Sequence, residues 1–246
     1  MNKGSDGVFN SGDYILFYGQ GINKWSYDKT NSMFTHKVNT YSNYGYYFVT
    51  SDAGVGKKIE GKSIVPPNAS IINSVEEFVD YQVYEKDLVN LTKSGKEFYG
   101  EILSDVTSFN IPFNFPNPVQ TNSTTVRLDV AINASLASSF SLDLDGEQTK
   151  TLNVGADTGN QYEMGIGAFG IYTFTPKNDA FNLNISYLKQ SASSRGYLNY
   201  LEVNVRRKLI MSGSSMQFQN VDFLGQSAYN QYLVSNANAN VQIWDI

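Results

Sequence analysis

The sequence predicts an all-β chain: a jelly-roll-like antiparallel β-sandwich preceded by a smaller aromatic-rich β region. Three observations predict it. Aromatic residues make up 14% of the 246 residues, with 17 Tyr, 15 Phe and 2 Trp set among abundant Asn, Ser, Thr and Gly, which favours strands joined by turns over helices. Several segments alternate apolar and polar residues with period two. Such short strands recur along the chain at the spacing of a sandwich.

Along the chain, Asp13 to Tyr18 (DYILFY) and Tyr44 to Val49 (YGYYFV) are nearly continuous apolar or aromatic runs, so both are expected as core strands covered on two faces. Between them, a strand through Phe34-Thr-His-Lys-Val38 would put His36 on the face of Phe34 and Val38. The prolines of Val65 to Asn68 (VPPN), and later Pro112, Pro116 and Pro118, have no amide proton for a ladder and read as connections. Ser74-Val-Glu-Glu77 has the spacing of a helix capping box and predicts a short helix.

Farther on, Val126, Leu128, Val130 and Ile132 share one face of a strand, with Arg127 and Asp129 opposite. Phe140, Leu142 and Leu144 do the same ahead of Asp145-Gly146. A plain two-residue turn there would set Leu152 and Val154 off the apolar face, so an odd-length loop or a Gly bulge is expected. Pro176 to Asp179 reads as a four-residue hairpin loop that sets Phe174 against Phe181 and Tyr172 against Leu183. Leu201, Val203 and Val205 alternate with Glu202, Asn204 and Arg206, and Val241 and Ile243 flank Gln242 in a closing strand. The composition shift and the first proline pair divide the chain into residues 1–92, a small β region, and 93–246, the sandwich.

Charge and chemistry narrow the function classes. The 23 acidic residues outnumber 18 basic ones, for a net charge of -5, so no broad basic field exists for nucleic acid. The N-terminus is polar, and no run approaches the ~20 apolar residues of a membrane span. Cysteine is absent, which removes disulfides, thiolate metal ligands and a thiol nucleophile. His36 is the single histidine, and without a partner motif it reads as a packed, hydrogen-bonded side chain rather than a base.

The remaining clusters have plain readings. Asp143-Leu-Asp145-Gly146-Glu147 lacks the spacing of a calcium loop and reads as turn chemistry. Glu76, Glu77 and Asp80 read as a solvated face, and Arg206-Arg207-Lys208 as a strand end. No catalytic residue, metal ligand or cofactor site emerges. Phe17-Tyr-Gly-Gln-Gly21 followed by Trp25 is the stretch most suited to binding, because its glycines free the backbone to turn between aromatics. Tyr18, Gln20 and Trp25 are accordingly the candidate contacts for a partner or a glycan, with core packing as the bland alternative.

Gly12-Asp-Tyr-Ile-Leu-Phe-Tyr-Gly-Gln-Gly21, Asn23-Lys-Trp-Ser-Tyr27 and Asn39-Thr-Tyr-Ser-Asn-Tyr-Gly-Tyr-Tyr-Phe48 together resemble the sortase family of the Bacteroidetes type IX secretion system, gingipain-like cysteine peptidases of the cell surface. The similarity continues through Tyr84-Glu-Lys-Asp-Leu-Val-Asn90, Ser94-Gly-Lys-Glu-Phe-Tyr-Gly-Glu101, Tyr197-Leu-Asn-Tyr-Leu-Glu202 and Ile243-Trp-Asp-Ile246, nearly the whole chain. In that family a histidine and cysteine dyad lies beyond the matching region, and nothing here matches it, so no catalytic role carries over. The resemblance implies an excised accessory region, without the family's secretory leader, exported to the outer-membrane surface. It also implies partners: a peptidase domain of the same protein, and outer-membrane secretion partners or exported substrate proteins. The leading expectation is a non-catalytic β module that supports such a peptidase domain. The alternatives are a carbohydrate-binding jelly roll and a glycosidase with paired carboxylates.

Overall fold

A computed structural model describes residues 8–50, 54, 60–61, 72–91, 93, 95, 97–121, 123–159, 164–226 and 229–246. Its strands are β1 (Lys24–Asp28), β2 (Met33–Lys37), β3 (Ile72–Val75), β4 (Glu77–Glu85), β5 (Ile102–Leu103), β6 (Ser108–Asn114) and β7 (Thr124–Asn133). There follow β8 (Ser138–Leu144), β9 (Glu147–Val154), β10 (Ile166–Phe174), β11 (Ala180–Leu188), β12 (Arg195–Lys208) and β13 (Tyr229–Tyr232). No helix forms among the described residues, so none is long and apolar enough to cross a membrane. The fold is the expected all-β sandwich.

One antiparallel sheet runs β10-β7-β12-β4, with β5 also paired to β12, and the other runs β6-β11-β8-β9. Their inner faces make the core. Val126, Leu128, Val130 and Ile132 of β7 are completely buried, as their alternation requires, together with Leu201 and Val203 of β12. Facing them are Phe140 and Leu142 of β8, Leu183 and Ile185 of β11, and Ile111 of β6. In β12 the register shifts between Leu198 and Tyr200, so a bulge at Asn199 lets Leu198 and Leu201 share the inner face and turns Tyr200, Glu202 and Asn204 outward.

The β8–β9 hairpin has the expected bulge. Asp145 and Gly146 form the two-residue turn with φ of 51° and 81°, and Gln148, at φ 54°, is the extra residue that restores Phe140 opposite Leu152. The bulge thus falls on Gln148 instead of glycine. The same arithmetic fails for Pro176 to Asp179. There β10 pairs with β7 while β11 pairs with β6 and β8, so the loop crosses between sheets, and Phe174 and Phe181 are both buried in the core without facing each other on a ladder. Period two reports which face is buried, not which sheet a strand joins.

Other expectations are corrected. Ser74-Val-Glu-Glu77 spans the end of β3 and the start of β4, not a helix, because Val75 and Phe78 are both buried and β4 pairs along β12. Pro112 lies inside β6, which tolerates it as an edge strand of its sheet. Val241 and Ile243 form no strand, and β13 pairs in parallel with β3 instead. DYILFY and YGYYFV are not core strands: Tyr14 to Tyr18 and Tyr44 to Val49 are largely exposed, Phe48 by 97%. Their composition asks for cover on two faces that the described residues do not supply. Val65 to Asn68 lies outside the described residues. Strand β4, before residue 92, pairs with β12, after it, so hydrogen bonds of the larger sheet cross the expected division.

Gly196 of β12 lies where side chains of the opposite sheet approach its backbone closely. A Cβ there would lie 2.9 Å from Phe140 Cζ and 3.0 Å from Tyr187 Cγ, both locked in the core. Gly196→Ala is therefore expected to lower stability by about 1–3 kcal/mol through overpacking, measured by chemical denaturation.

Candidate functional site

The outer face of the larger sheet carries the polar chemistry of this chain. Across it lies the β1–β2 hairpin, in which Trp25 pairs with His36 and Tyr27 with Phe34. Asp28 closes its turn by accepting from the Thr30 and Asn31 amides at 2.8 and 3.3 Å and from Asn31 Nδ2 at 2.6 Å. The Asn31 and Thr30 hydrogen bonds hold the Asp28 carboxyl below its ordinary range.

Side chains of β12 dock the hairpin where no strand ladder does. Asn204 Oδ1 accepts from the Phe34 amide at 2.6 Å, while its Nδ2 donates to the Phe34 carbonyl at 2.9 Å. Two residues earlier, Glu202 Oε1 accepts from the His36 amide at 2.7 Å and from His36 Nδ1 at 2.6 Å. On the other side of the ring, His36 Nε2 donates to Glu85 Oε2 of β4 at 2.5 Å. The His36 and Glu202 side chains are 3% and 1% exposed, and Glu85 18%. An ionised carboxylate only accepts, so a carboxylate on each ring nitrogen favours a proton on both, the imidazolium form. Burial alone would push His36 down, but the hydrogen bonds to Glu202 and Glu85 outweigh it and raise it from 6.5 to about 9.

A histidine in this state is a poor base, because the proton a catalyst would release is shared between two fixed anions. The expectation of a packed, hydrogen-bonded His36 matches this geometry. Its partners were not legible: they lie 49 and 166 residues away in sequence, on β4 and β12. The weak signal was Glu202 and Asn204 on the polar side of a strand whose outer face turns out to be covered.

The three candidate contacts separate. Trp25 is half-buried, its ring 4.2 Å from the Tyr81 ring and 5.5 Å from His36, centre to centre. Phe34 packs its ring, tilted, against the same Tyr81 at 4.7 Å. Tyr18 is exposed and accepts from Gln217 Nε2 at 3.3 Å, and Gln20 offers its carbonyl to the Tyr47 hydroxyl at 2.5 Å. Gly19 allows that approach, since a Cβ there would sit 3.2 Å from the Tyr47 ring. The segments before β1 and after β2 thus lean on each other, with Phe17 and Tyr47 rings 5.9 Å apart and most aromatics turned outward.

Other charged clusters are engaged within the chain. Asp80 pairs with Arg207 at 2.5 Å, and Arg207 also donates to the Pro116 carbonyl and Ser212. Arg206 grips Asp222 through two bonds of 2.8 and 2.7 Å and lies 3.8 Å from Glu77. Asp143 accepts from the Gly146 amide and Asn184, and Asp145 from the Asn182 amide, as turn chemistry requires. Beside the hairpin, Asn199 Nδ2 donates to both Glu97 and Asp129 at 3.2 and 3.1 Å, and burial raises Asp129 above its ordinary range. Among the described residues no group of three or more His, Asp or Glu is arranged to hold a metal ion.

No protein-family model matches the sequence, and no curated protein matches it. Among solved structures, the crystal structure of dimeric latent PorU from Porphyromonas gingivalis is similar at a TM-score of 0.73 and 22% identity, over 85% of this chain and 20% of that one. A carbohydrate-binding module CBM36 in complex with calcium and xylotriose gives a TM-score of 0.35 at 10% identity, over 52% of this chain and 99% of the module. A CBM36-1 domain of a multidomain xylanase from the hindgut metagenome of Trinervitermes trinervoides gives 0.35 at 12% identity, over 56% and 100%. The chain spans about a fifth of the length of PorU, and over most of its own length it shares the fold of that part of PorU.

Proposed function

We propose that this chain is a non-catalytic β module of an exported, cell-surface sortase of the type IX secretion system, supporting a gingipain-like peptidase domain of the same protein. The observation that carries the reading is the PorU-like fold over 85% of the chain, and the resemblance of its motifs to that sortase family supports it separately. The lack of any thiol and the locking of the one histidine between carboxylates support a holding rather than a cleaving role. The division into residues 1–92 and 93–246 belongs to this proposal. In it, Tyr18 and Gln20 lie on the aromatic surface that meets the peptidase domain, a secretion partner at the outer membrane or an exported substrate protein. Trp25 packs its half-buried ring against Tyr81 at the stem of that surface. A glycan-binding reading has no observation of its own in favour.

The purified chain, incubated with fluorogenic peptide pools, is expected to show no turnover. It is also expected to co-purify with a separately expressed histidine and cysteine peptidase domain of such a sortase. Turnover that persists through purification and disappears in His36→Ala would overturn the reading, and failure of the two parts to associate would remove the supporting role.

A further inference from the structure

We infer that the Glu85–His36–Glu202 bridge is a proton-operated latch: fully protonated, the imidazole fastens the β1–β2 hairpin to the larger sheet, and loss of one proton lets that end of the hairpin come away. The latch stands on the hydrogen-bond geometry and does not depend on the sortase reading.

The bridge joins three strands through one ring. With both nitrogens donating, one positive charge lies between two carboxylates, and the cluster carries a single net negative charge. A neutral imidazole has one N–H, so one carboxylate loses its ring donor, and two negative charges then share a site that is buried at Glu202 and partly exposed at Glu85. Glu202 is the more exposed to this loss in energetic terms, because its Oε2 is buried without a partner. The Asn204 bonds to Phe34 do not titrate, so they serve as the hinge about which the His36 end releases.

The hairpin is also the stem of the aromatic surface. Residues 8–23 lead into β1 and residues 38–50 leave β2, so whatever frees the stem loosens Tyr44, Tyr46 and Tyr47 with it, while Tyr18 keeps its bond to Gln217. The groups facing the ring leave the imidazole as the one that titrates first on the alkaline side. On β12 they are Glu202 and Tyr200, whose ring lies edge-on to His36 at 4.9 Å centre to centre, and on β4 Glu85, with Tyr81 on the neighbouring Trp25 ring. Trp25 of β1 does not titrate. Beyond Tyr200, Arg127 of β7 lies 5.7 Å from its ring, and Asp129 interacts with its hydroxyl. Asp87 follows Glu85 and is raised by burial and by that neighbour. Burial raises both Tyr81 and Tyr200, so the phenols stay neutral while His36 titrates.

A raised histidine value means that the bridge is complete below the ordinary 6.5 and is lost as pH rises through about 9. Because His36 is the only histidine, its Cε1–H resonance in the full chain is unambiguous by proton NMR. The expected result is a midpoint near 9, a concerted shift of the Trp25 indole N–H, and at least tenfold loss of β2 amide protection, corrected for intrinsic exchange. Trp244→Phe leaves Trp25 as the single indole. In Glu85→Gln, which removes the partly exposed partner, the midpoint is expected to fall by a unit or more with the hairpin docked at pH 6. In His36→Gln no hairpin transition should occur between pH 7 and 10. A midpoint near 6.5 in the unmodified chain, an unshifted midpoint in Glu85→Gln, or titration that leaves Trp25 and β2 unmoved would overturn the latch.

Discussion

Phe140→Ala is expected to cost about 3–5 kcal/mol, enough to lower the melting temperature by roughly 10 °C in a chain of this size. Phe140 is completely buried, pairs across strands with Leu152, and packs its ring 4.9 Å from that of Tyr187. Removing it opens a cavity between two sheets whose ladders leave little room to collapse. Tyr187 also donates to Ser138 Oγ at 3.0 Å in the buried layer, which anchors it against sliding into the space. The same vacancy would house the methyl group of Gly196→Ala, so the double variant should be more stable than the sum of the single costs predicts. Denaturant midpoints of the four proteins measure this coupling. A Phe140→Ala chain as stable as the parent would mean that the sheets do not meet at this ring.

Glu202→Ala should have an effect of similar size, concentrated on the hairpin. It leaves the His36 imidazolium with one partner and the His36 amide with none, under a covered face, and breaking a buried charge pair costs about 3–5 kcal/mol. Among the described residues the β1–β2 hairpin pairs with no other strand, so the loss is bounded by the hairpin's own stability and the sandwich can survive it. Amide exchange at pH 7 should show β2 opening while β7 and β8 stay protected. Glu202→Gln should lose less, because its carbonyl oxygen can still accept the backbone amide while only the charge is gone. Unchanged β2 protection in Glu202→Ala would remove the bridge from the forces that dock the hairpin.

The readings that succeeded and failed have a common cause. Val126, Leu128, Val130 and Ile132, or Phe140, Leu142 and Leu144, announce their buried face because side chains alternate along a strand and one face meets the core. The bulge before Leu152 was legible for the same reason, since only an extra residue keeps both strands' apolar sides together. The loop at Pro176 to Asp179 was misread because a connection within a sheet and one between sheets can have the same length. DYILFY and YGYYFV carry the composition of buried strands without the cover, so composition alone could not place them.

The site shows the limit most clearly. Sequence by itself determined that this chain is all-β, that it lacks a thiol, and that one unaccompanied imidazole is its whole stock of near-neutral proton chemistry. Only the tertiary structure decided what that imidazole does, because Glu85 and Glu202 reach it from separate strands brought together by sheet pairing. Hydrogen bonding across a fold depends on distance in space. Local periodicity reports which face a side chain takes, and it carries no information about which distant strand will cover that face.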